Sequence, residues 1–210
     1  MMRTMLAALI LLFSANVMAA PQAGEEYRAT AQALPTEQSG KIEVLELFWY
    51  GCPHCYHLEP QLAAWVKKLP QDVYFKRVPG LPQPAWAPMA KAYYAMEQLG
   101  VLEKLHGKLF EAIHKQRALR PDDEAAVIDW ITKQGGLDRK KVEAAFNSFS
   151  MNTKLMKAAQ IFRASGATGV PALIIDGKYV SSSTMAGGNS QVLQVADYLI
   201  EKVRQEKVQH

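Results

Sequence analysis

The spacing of hydrophobic positions changes period several times along the chain, and those changes divide it. From Ile42 to Trp49 the run is apolar on both parities, with only Glu43 and Glu46 interrupting. That pattern predicts a strand covered on both faces, and so internal to a sheet. The period then becomes helical: Leu58, Leu62, Trp65, Val66 and Leu69 recur at helical spacing until Pro70 closes the segment. Val73 to Val78 returns to strand character and stops at Pro79-Gly80. Strand, helix, strand predicts a βαβ unit with parallel strands and a right-handed crossover. Ahead of it, Tyr27-Arg28-Ala29-Thr30 follows a polar, irregular stretch and predicts a short edge strand.

From Trp86 to about Gly166 the pattern is helical, with no convincing strand. Met89, Ala92, Tyr93, Met96 and Leu99 form one stripe, ended by Gly100; Leu102, Leu105, Leu109 and Ile113 form the next. Pro121-Asp122-Asp123-Glu124 has the chemistry of a helix start, and Gly135-Gly136 stops the helix carrying Val127, Ile128, Trp130 and Ile131. Asp138 can cap a short helix with Val142 and Phe146, and a last helix is expected from Thr153 to Ala164. These stripes read as core. Strand chemistry then resumes: Ala172–Ile175, a turn at Asp176-Gly177 and Lys178–Val180 predict a β-hairpin, and Gln191–Glu206 a closing amphipathic helix. The expected layout is one α/β domain over residues 20–83 and 167–210, interrupted by a helical insertion over 84–166.

Composition agrees with that layout and narrows the partners. A chain of 210 residues, 49% apolar and 21% charged, can bury a large core. The net charge of +4 is spread out, and its longest basic run, Arg139-Lys140-Lys141, reads as a solvated helical face. Nucleic acid is therefore not an expected partner. Arg3, the apolar run Met5–Phe13 and the small-x-small triplet Val17-Met18-Ala19 predict a signal peptide over residues 1–19, cut after Ala19. Ser14 and Asn16 interrupt the run well short of the ~20 residues of a membrane span. No cysteine lies near the cut, which argues against a lipid anchor. An exported, soluble monomer is expected.

The only two cysteines stand at the strand-to-helix turn, in Gly51-Cys52-Pro53-His54-Cys55. A helix N-terminus favours a thiolate through its unpaired N–H groups and dipole. A free cysteine of pKa ≈ 8.5 is only about 3% ionised at pH 7, so that help matters. Cys52, at the helix start, is the expected nucleophile; Cys55, one turn in, is the expected deeper, resolving thiol. Pro53 suits the first helical turn. His54 can donate to the thiolate or add a charge, or simply be an exposed helix-start residue. A structural crosslink is the weaker reading, because a loop of about four residues contributes roughly 2 kcal/mol against about 4.7 for one near 100 residues. No metal site is expected: Cys52, His54, Cys55 and His57 crowd into six residues without a second ligand pair, and His106 and His114 stand alone on helices. Haem attachment is disfavoured because Tyr56, not histidine, follows Cys55. Glu46 shares parity with Val44 and Phe48 and precedes Cys52 by six residues. It either lies buried beneath the turn, with a raised pKa suited to exchanging the Cys55 proton, or reaches solvent at the strand end. Glu43 reads as structural.

Cys52-Pro53-His54-Cys55 after an apolar strand, with Gly169-Val170-Pro171 before a hairpin, resembles the thioredoxin superfamily. The Pro-His dipeptide and the long helical insertion make the chain similar to its DsbA family. This resemblance implies a thioredoxin-like fold with an inserted helical domain. It further implies a periplasmic oxidase that donates a Cys52–Cys55 disulfide, its only redox group, to unfolded exported proteins with free thiols. A DsbB-like membrane quinone oxidoreductase would then reoxidise it. On the same resemblance Cys52 is the attacking cysteine, Cys55 the buried one, His54 the thiolate-stabilising histidine and Glu46 the buried acid. Pro171 corresponds to the cis-proline facing the site, and Val170 offers backbone hydrogen bonds to substrate. A lysine is expected near the acid, with Lys76 the candidate and its register left open. An isomerase or reductase on the same fold, and an exported peptide-binding module whose cysteines merely close a turn, are the alternatives. Trp86 and Met185 are candidates for the substrate surface or for core.

Overall fold

Every residue of β2 (Ile42–Phe48) is buried, and in the computed structural model, which describes residues 20–209, this strand lies inside a five-stranded sheet. The predicted signal peptide and its cleavage point lie outside the described residues. β3 (Val73–Pro79) runs parallel to β2 on one side, and β4 (Ala172–Ile175) antiparallel on the other. β5 (Tyr179–Ser182) completes the hairpin with β4, and β1 (Arg28–Ala29) pairs with it as a two-residue edge strand, giving the order β1-β5-β4-β2-β3. The apolar residues of both parities in β2 are thereby explained. Ile42 and Val44 pack with Leu58 and Leu62 of α1 (Pro53–Val66) and with Val195 and Leu199 of α8 (Asn189–Val208). Leu45 and Leu47 pack on the opposite face against Val78, Ile174 and Phe162.

Between β3 and β4 the chain is helical, as the periodicity predicts. A single 3-10 turn (Pro84–Trp86) leads into α2 (Ala87–Gln98), α3 (Leu102–His114), α4 (Glu124–Gly135), α5 (Arg139–Phe146) and α6 (Phe149–Ser165). Asp123 and Asp138 cap α4 and α5 by accepting from the backbone N–H of Ala126 and Lys141. Gly136, at φ 67°, closes α4 in the left-handed conformation that glycine adopts without strain. The stripes of α2, α3, α4 and α5 meet in a second core that includes Phe48 at the end of β2. That shared residue is where the helices meet the sheet, one turn from the cysteines.

Three elements differ from expectation in their boundaries. α6 begins at Phe149 rather than Thr153; Phe149 is almost fully exposed, and of that first turn only Met151 joins the buried stripe. The second hairpin strand continues to Ser182 and passes into a short α7 (Ser183–Ala186). α8 is longer than predicted at both ends. Among the described residues no helix is long and apolar enough to cross a membrane.

Candidate active site

The turn between β2 and α1 is closed by the Cys52 N–H donating to the Trp49 carbonyl at 3.0 Å. Cys52 caps α1 in extended conformation (φ −90°, ψ 116°), and its Sγ accepts from the Cys55 N–H at 3.4 Å. Both cysteines are free thiols; Cys52 keeps 8% of its surface exposed and Cys55 none. Their acidities are split. The Cys55 thiol hydrogen bond, aided by the backbone N–H groups of Cys55 and His54 and the His54 charge, outweighs burial and lowers the Cys52 pKa to about 6. Burial, the neighbouring Cys52 and the Glu46 charge push Cys55 well above the ordinary thiol range. One sulfur is thus held as thiolate at neutral pH and the other as thiol.

Gly51 leaves room for Trp49. A Cβ there would stand 2.4 Å from the Trp49 ring, which stacks on Trp86 with centroids 4.2 Å apart and planes 10° from parallel. Across the turn, the Val170–Pro171 peptide is cis, and the Val170 carbonyl oxygen lies 3.4 Å from Cys52 Sγ, where it accepts from the thiol only when that sulfur is protonated. His54 is exposed, and with Thr168, Val170, Pro171, Ser182 and Met185 it lines a groove of about 600 Å³ beside the sulfur.

Behind the cysteines lies a buried charge cluster. The parallel register sets Glu46 opposite Arg77, whose Nε donates to Glu46 Oε2 at 2.9 Å, while its Nη2 reaches Glu59 Oε1 at 2.9 Å. His106 Nε2 stands 3.4 Å from Glu59 Oε2, and its Nδ1 is 2.7 Å from the Tyr50 hydroxyl. Glu46 is almost wholly buried, and that burial, opposed by Arg77 and assisted by Glu59, raises its pKa to about 7. Burial lowers His106. Among the described residues no three His, Cys, Asp or Glu side chains are grouped to hold a metal.

A sequence model of the DSBA-like thioredoxin domain matches residues 81–200. The thiol:disulfide interchange protein DsbA of Pseudomonas aeruginosa is 42% identical over 183 residues, covering 87% of this chain and 85% of that protein. This chain belongs to the DsbA family. DsbA of Azotobacter vinelandii is 40% identical over 183 residues, covering 86% and 84% of the two chains. The crystal structure of P. aeruginosa DsbA superposes with a TM-score of 0.80 at 39% identity, covering 89% of this chain and 96% of that one. That of the oxidoreductase DsbA from Xylella fastidiosa gives 0.83 at 29% identity, covering 89% and 100%. The fold is the thioredoxin-like DsbA fold, and the protein is a thiol:disulfide oxidoreductase.

Within this DsbA fold the residues singled out from the sequence come together around one sulfur. Cys52, Pro53, His54 and Cys55 form the turn and first helical residues, Val170 and Pro171 face it, and Glu46 lies buried. Lys76 does not join them. Its neighbour Arg77 holds Glu46, whereas Lys76 sits on the other face of β3, 2.8 Å from Glu37 and 3.7 Å from Glu43. Glu43 is also buried, accepting from the Tyr74 hydroxyl, and so is structural as expected. Sequence reasoning missed Arg77, Glu59, Tyr50, His106 and His114. Glu59 had a signal, lying one helical turn beyond Cys55; the rest depend on strand register or on contacts distant in sequence.

Proposed function

We propose that this protein is a periplasmic disulfide donor acting on unfolded exported proteins with free thiols. In its oxidised form a substrate thiolate attacks Cys52 Sγ, the Cys52–Cys55 bond breaks, and the electron pair leaves on Cys55, which takes up a proton. A second substrate thiolate then attacks the substrate sulfur of the mixed disulfide and releases Cys52 as thiolate. Two electrons pass from substrate to protein, and one disulfide passes the other way. The disulfide is the only redox group required, and a DsbB-like membrane quinone oxidoreductase restores it. The protein acts as a monomer.

The lowered Cys52 pKa carries this reading. A thiolate stabilised only in the reduced form makes that form more favourable, and so makes the disulfide more oxidising. Glu46, with a pKa of about 7 in the buried space behind the pair, is suited to supply and recover the Cys55 proton. His54 adds charge and a backbone N–H at the thiolate, and Pro53 opens the helix without a wasted donor. The groove at Val170 and Pro171 suits an extended substrate strand bound through its backbone. The predicted signal peptide supports the location.

Alkylation tests the reading directly. Cys52 should react with iodoacetamide at mildly acidic pH, and Cys52→Ser should abolish oxidation of a reduced dithiol peptide. A thiol that reacts only above pH 8 would overturn the donor assignment and leave a protein whose cysteines close a turn.

A further inference from the structure

We propose that His106 and His114 of α3 are positioning residues that clamp Tyr50 at both ends and so fix the turn that presents Cys52; this rests on the donor function. The two histidines lie eight residues apart, just over two helical turns, and therefore on the same side of α3. His114 Nε2 is 2.7 Å from the Tyr50 carbonyl oxygen. A carbonyl only accepts, so that nitrogen carries the proton and donates. At the other end of the residue, His106 Nδ1 is 2.7 Å from the Tyr50 hydroxyl. His106 Nε2 faces the Glu59 carboxylate, itself held by Arg77, and so bears the ring proton; Nδ1 is left to accept from the tyrosine.

Nothing about Tyr50 is free to move independently. It is 1% exposed, and its ring packs edge-on to Phe48 and against Phe110 of the same α3. His114 also reaches the far side of the turn, stacking on Tyr56, the residue after Cys55, with centroids 5.1 Å apart and planes at 18°. One imidazole thus holds the chain before Cys52 by a hydrogen bond and the chain after Cys55 by stacking.

The consequence for chemistry runs through the backbone. The Tyr50 carbonyl belongs to the peptide that leads into Gly51, and the orientation of that peptide sets where the Cys52 sulfur stands relative to the N–H groups of His54 and Cys55. Freed from α3, the turn can relax and those donors drift from the thiolate. The charged and titratable groups facing His106 are Glu59, Arg77 and Glu103, and those facing Tyr50 include Tyr93 and Glu46. All of them remain in the variants below.

The test compares wild type with Tyr50→Phe, His114→Ala and His114→Gln. The readouts are the ultraviolet titration of the Cys52 thiolate and the equilibrium with glutathione, with thermal unfolding measured alongside. His114→Ala and Tyr50→Phe should each move the thiolate midpoint upward by about half a unit or more, which is about threefold in the redox equilibrium, toward a weaker oxidant. His114→Gln, whose amide can still donate to the carbonyl, should recover most of the His114→Ala shift. If His114→Ala does not fold, Tyr50→Phe, which loses a single oxygen, decides the matter. A lowered melting temperature with an unmoved midpoint and unmoved redox equilibrium would reduce the histidines to packing and overturn the clamp. A wild-type midpoint near that of free cysteine would sink the donor function and the clamp together.

Discussion

Titrating the reduced and oxidised forms against unfolding separates a redox centre from a crosslink. Only the reduced form has a Cys52 proton to lose. With its folded pKa lowered to about 6 from a reference of 9.0, the unfolded chain holds that proton between those values while the folded chain does not. Stability of the reduced form relative to the oxidised form should therefore rise with pH by about 1.4 kcal/mol per unit across that window. It is fully present above the unfolded pKa and lost as pH falls through the folded one. At pH 7 it amounts to about 1.4 kcal/mol. Against it stands the chain-entropy contribution of a four-residue loop, about 2 kcal/mol in favour of the disulfide form. The two contributions are equal at about pH 7.4, so reduction should lower the melting temperature under acidic conditions and raise it under mildly alkaline ones. Above about pH 9 the trend should turn over, because the raised pKa of buried Cys55 acts with the opposite sign. Urea unfolding of both forms at several pH values gives the difference directly. A gap that stays constant from pH 6 to 8 would refute the reasoning, since no thiolate would then be stabilised by the fold.

Two substitutions probe the surroundings of the pair. Glu46→Gln removes a carboxyl whose folded pKa is raised to about 7 from 4.5; the wild type therefore loses stability as pH rises through that interval, by an amount of the order of 3 kcal/mol, and the variant should not. Denaturant curves for the two proteins at pH 5 and pH 7.5 should diverge with pH, and parallel behaviour would show that Glu46 ionises as an ordinary surface acid. Gly51→Ala places a methyl group 2.4 Å from the Trp49 ring. It should cost about 1–3 kcal/mol by overpacking and break the Trp49–Trp86 stack, which tryptophan fluorescence would report; unchanged fluorescence and stability would mean that the ring has another place to go.

Much of the fold was legible because each signal was local and chemically forced. Double-sided apolarity put β2 inside the sheet, the aspartates at 123 and 138 capped the helices they precede, and Asp176-Gly177 turned the hairpin. The start of α6 was not legible, since Phe149 exposes the ring that a periodicity argument needs to find buried. The cation partner of Glu46 stayed open for a different reason. Side chains alternate along a strand, so a register error of one residue exchanges Lys76 for Arg77 and one face of the sheet for the other. Parity within β2 could place Glu46; only the pairing of β2 with β3 could choose its cation. The two histidines of α3 read as isolated because their common partner, Tyr50, lies 56 and 64 residues away.

The choice of cation bears on the proposed chemistry. When Cys55 leaves as an anion in a fully buried position, it needs a proton close at hand, and on reoxidation that proton must be recovered. Burial alone would keep Glu46 protonated, able to give but a poor acceptor. Arg77 opposes this, and Glu59, which shares the same guanidinium, limits how far Arg77 can favour ionised Glu46. The result is an acid near neutrality, available in both protonation states at the pH where the cysteines work. An arginine suits this arrangement better than a lysine, because its planar fork contacts both carboxylates at once and does not itself surrender a proton. The buried cluster is therefore organised around returning a proton as much as around holding a charge, and the acidity of Cys52 is one half of a division whose other half is the reluctance of Cys55.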